Sequence, residues 1–137
     1  MAMTNAEKKR YLEQYRANNA EIDSLLEEMA RLRAKAESMS PEYSDMPKTH
    51  SGEDTLANAI AKIIDLEKEI DALVDALVDK RQRIEAGINA LSSGELRELL
   101  RYKYINGETL EWIAVKMNYS YRHVCRLHGE ALTQLRL

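Results

Sequence analysis

Apolar side chains recur through the first third of the chain at Tyr11, Tyr15, Ile22, Leu25, Met29, Leu32 and Ala36, with Asn18 in the one polar place of the series. The spacings alternate between four and three residues, which on a helix of 3.6 residues per turn gathers the series on one stripe, a heptad seam. A second series follows at Leu56, Ala59, Ile63, Leu66, Ile70, Leu73, Leu77, Lys80, Ile84, Gly87 and Leu91, with Lys80 and Gly87 as interruptions. It predicts a helix about 50 Å long at ~1.5 Å per residue. Ile60, Ile64, Val74 and Val78 widen this second stripe, so the helix is expected to touch more than one neighbour: the first helix folded back as an antiparallel partner, and a second subunit. Asn18 would fix register and partner number if buried, at a cost in stability; a fraying, solvated helix end would also accommodate it.

The two series are separated by Ser38–Thr55 (SMSPEYSDMPKTHSGEDT), which holds both prolines of the chain. Proline removes a backbone donor, and small polar side chains compete for backbone hydrogen bonds, so 38–55 reads as a linker. Nothing alternates with the two-residue period of a strand. Beyond Leu91 the punctuation is local. Ser92 with Glu95 three residues on reads as a capping box, Leu91 and Leu96 as a hydrophobic staple, and Asn106-Gly107 as the left-handed close of the helix begun there.

The remaining segment, TLEWIAVKMNYSYRHVCRLHGEALTQL, contains two more starts. Thr109 can cap a short helix through Met117, and Ser120 a second from Tyr121 to about Leu135, with Asn118, Tyr119 and Ser120 as the turn. Ala114 is small where two helices would cross, and Ile113, Met117, Tyr119, Val124 and Leu127 supply apolar contacts to fix the crossing. The turn wants positive φ at Asn118, where asparagine is the best substitute for glycine. With those residues inward, Ser120, Tyr121, Arg122, Cys125 and Arg126 face outward. Arginine can pair bidentately with guanine in the major groove, and serine or tyrosine can hold phosphate. The predicted fold is therefore all-α: two long helices, as an antiparallel hairpin or coiled coil over 1–91, followed by a helix-turn-helix domain over 92–137. A plain helical hairpin with a solvated arginine face is the competing reading.

Charge adds to this picture. The net charge of −3 divides unevenly: residues 1–94 carry 13 Lys/Arg against 18 Asp/Glu, and residues 95–137 carry 7 against 5. The modest basic excess lies where a polyanion would be met. One cysteine, Cys125, can form no internal disulfide and fits a reducing compartment. No apolar run approaches the ~20 residues that span a bilayer, and residues 1–10 lack a signal-peptide stretch, so a cytoplasmic protein without membrane contact is expected.

Other signals point elsewhere. His123, Cys125 and His128 suggest zinc, but His123 and Cys125 lie about 200° apart on a helix, so no metal site is expected. His128 reads as a core-edge histidine with a local partner. Asp71, Asp75 and Asp79 form an acidic ridge, read as a solvated face, with a basic partner surface as the alternative. Trp112 is expected to pack over the helix of Glu95 to Tyr104, where a large apolar ring gains most by burial, with a place against a DNA strand as the alternative. No Gly-rich phosphate loop, HExxH, GxSxG or paired-cysteine motif occurs, so neither catalysis nor a cofactor is expected.

The segment LRELLRYKYINGETLEWIAVKMNYSYRHVCRLHGEALTQLRL resembles region 4 of sigma factors. With the YLEQYRANNAEIDSL helix, the SPEYSDMP linker and the DLEKEID helix, the whole chain resembles phage-encoded sigma-70-like regulators related to the RinA and ArpU late-transcription activators. That resemblance implies a prophage protein that activates transcription, with double-stranded DNA as ligand and RNA polymerase as partner. It places the recognition helix on Tyr121 to Leu135, with Arg122 and Arg126 on bases or phosphates. A homodimer is expected from the long helices. Two alternatives stand beside this reading: a DNA-packaging protein resembling small terminase subunits, which would form a ring, and a helical interaction protein without a DNA role.

Overall fold

The computed structural model describes residues 2–39 and 50–137, and every regular element among them is helical. Two long helices come first, α1 (Asn5–Met39) and α2 (His50–Asn89). A short helix α3 (Gly94–Leu100) runs on as a π-helical turn (Arg101–Ile105), and α4 (Leu110–Met117) and α5 (Tyr121–Gln134) follow. Of the predicted linker, residues 40–49, with both prolines, lie outside the described residues. Its last six residues already belong to α2, so helix begins ahead of the first stripe residue, Leu56. None of the described helices is long and apolar enough to cross a membrane.

The chain forms two compact units, one of Met1–Ala20 with Val78–Leu137 and one of Glu21–Leu77. In the second unit the predicted seams hold in part. Ile22 and Met29 of α1 and Ile63 and Ile70 of α2 are buried, and Leu25, Leu32 and Ala36 are half-buried. Arg33 and Glu67 approach to 3.6 Å, an exposed pair of little energetic weight. Leu66 and Leu73 depart from the pattern. Both stand on the predicted stripe, yet they are 41% and 50% exposed, and Leu26 and Ile64 are exposed as well.

The first unit contains the larger core, assembled from distant parts of the sequence. Leu12 and Tyr15 of α1, Ile84 and Ile88 of α2, and Leu91 join Leu96, Leu99, Leu100, Tyr104, Ile113, Val124, Leu127 and Leu135 in one cluster. Here the two long helices run antiparallel: Tyr15 donates to the Glu85 carboxylate at 2.6 Å, while Arg81, earlier in α2, reaches Asn19, later in α1, at 3.4 Å. Both interruptions of the second stripe are explained by tertiary contacts. Lys80 donates to Gln14 at 2.6 Å and sits 5.4 Å from the centre of the Tyr11 ring, a cation on an aromatic face. Gly87 lies where the backbone of Arg136 passes; a Cβ there would stand 2.9 Å from the Arg136 carbonyl oxygen. Asn18 is buried on the seam and its amide nitrogen has no hydrogen-bond partner among the described residues. An unmet donor of this kind costs about 1–3 kcal/mol, so burial here works against stability.

The start of α3 corrects the predicted capping box by one residue. Ala90 and Leu91 still donate back to the carbonyls of Ala86 and Ile88, so the chain leaves α2 too late for Ser92 to cap. Ser93, extended at φ −86° and ψ 120°, takes that place and accepts from the Leu96 amide at 3.3 Å. Leu91 and Leu96 are both buried, but the staple positions pass to Ser92 and Arg97, and Arg97 donates to the Leu91 carbonyl instead. At the other end the helix closes in the wider π spacing, with the Asn106 amide donating to the Arg101 carbonyl at 2.9 Å. Gly107 then takes φ +80°, and the side chain of Arg16 lies over it where any Cβ would project.

Candidate nucleic-acid interface

Backbone chemistry sets the geometry of α4, its connection and α5. Thr109 is extended (φ −78°, ψ 159°) and its hydroxyl accepts from the Trp112 amide at 3.1 Å, starting α4. Asn118 ends that helix with φ 62°, the one positive φ outside glycine among the described residues. Its amide donates to the Val115 carbonyl at 3.2 Å and the Tyr119 amide to the Ala114 carbonyl at 2.9 Å. This double closure satisfies the last carbonyls of the helix and requires a left-handed residue at its centre. Ser120 then accepts from the His123 amide at 3.1 Å and starts α5. The two caps and the left-handed residue are where the sequence predicts them.

One side of this pair is committed to the core. Ile113 and Ala114 of α4 and Val124, Leu127, Ala131 and Leu132 of α5 are buried. Tyr119, expected inward, is 40% exposed. A phenol gains by keeping its hydroxyl at the rim, and that of Tyr119 donates to the Glu95 carboxylate while the ring meets the His123 imidazole edge-on at 4.6 Å. Trp112 rests edge-on against Tyr102 of the π turn at 5.3 Å, the packing expected of it, although 41% of its surface stays open.

The five predicted contact residues fall into three groups. Arg122 and Arg126 are exposed and stand four residues apart, one turn above the other on the outward side of α5. Neither forms an ion pair with a carboxylate among the described residues. Tyr121 is half exposed, while Cys125 is half-buried and lies toward the edge of the outward face. Its hydrogen bond to Cys125 and the nearby charge of Glu111 hold the Tyr121 phenol above its ordinary range. Ser120 is exposed, but its oxygen is occupied by the cap. His123 was not among the predicted contacts. Its Nδ1 lies 2.7 Å from Nη2 of Arg126, and the three-residue spacing on one helix face was the signal that could have found it.

His128 has the local partner that its position suggested. It is buried, and the Tyr104 hydroxyl lies 2.7 Å from its Nε2, with the rings stacked at 27°. Burial, then the nearby charges of Lys103 and Lys9, push the His128 imidazolium down to about 4. The unfolded chain therefore takes up this proton near 6.5, and the folded one only near 4. His128 weakens the fold as pH falls from 6.5 to 4 and adds no further pH dependence beyond either limit. Urea unfolding at pH 7 and at pH 4.5 is expected to differ more for the parent than for His128→Gln, by roughly 1–3 kcal/mol. Equal pH dependence of the two proteins would show that the imidazole is not held neutral.

No protein-family model matches the chain, no curated protein matches it, and no solved structure matches it.

Proposed function

We propose that this protein is a sequence-specific DNA-binding regulator of transcription whose α4, turn and α5 act as a helix-turn-helix, with α5 as the recognition helix in the major groove. The observation that carries the reading is the pair Arg122 and Arg126, exposed on the outward side of a helix whose opposite side is locked into the core, with no carboxylate paired to either among the described residues. Guanidinium groups so placed suit guanine edges and phosphates, and the phenol of Tyr121 supplies a further donor. The resemblance of 96–137 to sigma region 4 favours a phage or prophage activator working with RNA polymerase in the cytoplasm.

A homodimer belongs to the same reading. Leu66 and Leu73 keep heptad spacing on α2 but remain exposed within one chain, and a second copy would cover them. The test is selection from a pool of random duplexes, followed by footprinting at two salt concentrations. A recovered consensus, with affinity falling steeply as salt rises, is the expected result; a pool left unenriched would end the reading. Sedimentation of the same sample should give twice the chain mass, whereas a ring of many copies would favour the packaging alternative.

A further inference from the structure

The side chains above α5 are linked in an order that the outward arginines alone do not explain. The Glu95 carboxylate at the start of α3 accepts from the Tyr119 hydroxyl. The Tyr119 ring stands at 80° to the His123 imidazole, with the ring centres 4.6 Å apart. Nδ1 of His123 lies 2.7 Å from Nη2 of Arg126 and, lacking a proton there, accepts from it. A residue on α3, one in the turn and one on α5 thus lead to a single guanidinium, that of Arg126.

Arginine offers five N–H groups in a planar fork. One bond to His123 uses one of them and leaves others for a bidentate contact with O6 and N7 of guanine. An exposed arginine without a neighbour must surrender the freedom of several bonds when it binds, a cost reduced in one already held. Arg122 has no such acceptor among the described residues, so the two arginines of this face are not equivalent.

We infer that His123 is a positioning residue for base reading: held by Tyr119 and Glu95, it presents the Arg126 guanidinium in one orientation and so sharpens the choice of guanine at the base pair Arg126 meets. The inference rests on the DNA-reading role proposed above.

The test uses the full chain in the random-duplex selection, with the parent, Arg126→Ala, His123→Ala, His123→Asn and Tyr119→Phe compared. Arg126→Ala identifies the base pair concerned, as the one position whose preference it erases. At that position His123→Ala is expected to lower the guanine preference roughly 2- to 10-fold, with other positions and the salt dependence unchanged. His123→Asn, whose Oδ1 falls close to the place of Nδ1, should restore most of it. Tyr119→Phe, which keeps the ring and loses the link to Glu95, should lie between. An undiminished guanine preference in His123→Ala, or a uniform loss at all positions not relieved by asparagine, would overturn the positioning role while leaving the DNA reading intact. A parent chain that enriches no sequence would overturn both.

Discussion

Arg122→Ala combined with Arg126→Ala is expected to abolish selective DNA binding while leaving the fold as stable as before. Both side chains are exposed and neither is paired with a carboxylate among the described residues, so their removal opens no cavity and strands no buried charge. Each well-made arginine–guanine contact is worth about 1–3 kcal/mol of discrimination, so losing two should reduce the preference for the selected duplex by roughly a hundredfold or more. Anisotropy titrations of selected and scrambled duplexes measure this directly. Whatever binding remains should be weak, equal for the two duplexes, and less sensitive to salt because two cations have gone. A double variant that still separates the duplexes as the parent does would remove α5 as the reading helix.

The second large effect is expected from Ile113→Ala. Ile113 has no exposed surface, and it belongs to the same core as Val124, Leu99 and Leu12. Truncating a buried branched side chain costs about 2–5 kcal/mol, because the transfer free energy is lost and the surroundings close the gap only in part. Against a usual stability of about 5–15 kcal/mol for a domain, this change should bring the protein close to unfolding at moderate temperature. Val115→Ala, two residues along the same short helix, is the control. Val115 is 83% exposed, so its truncation should shift stability by no more than about 0.5 kcal/mol. Urea midpoints for the pair check the assignment, and similar midpoints would mean that α4 turns a different side to the core.

Much of the helical layout could be read from residue order because it depends on local chemistry. Thr109, Asn118 and Ser120 act through amides within five residues of themselves, so short stretches of sequence were enough to place them. The heptad seam of α1 was equally legible, and every one of its eight positions is buried or half-buried. Where tertiary contacts decide, the reading was weaker. Leu12, one of the most deeply buried side chains, stands beside the seam and not on it, and apart from Tyr15 the buried residues of its cluster are about seventy or more positions away. The interruption at Gly87 made sense only once the backbone of Arg136 was found beside it. Tyr119 was placed inward on hydrophobicity, but its hydroxyl has a carboxylate to reach at Glu95, twenty-four residues earlier. The outward residues of α5 follow from subtracting its core face; the three-residue spacing of His123 and Arg126 allows their contact, and the side-chain positions show it made.

The core that supports α5 is completed by side chains from the opening turns of the chain, Leu12 and Tyr15. Tyr15 and Glu85, whose side chains meet, are separated by seventy positions in sequence. Closing so wide a loop carries an entropy cost that nearby contacts must offset, and such distant pairings slow folding relative to local ones. Without α1 the interior shared by the helices of the last third lacks two of its buried side chains. Leu12 and Tyr15 share one core with Val124 and Leu127 of the helix that carries Arg122 and Arg126, so the surface those arginines occupy is built in part by α1.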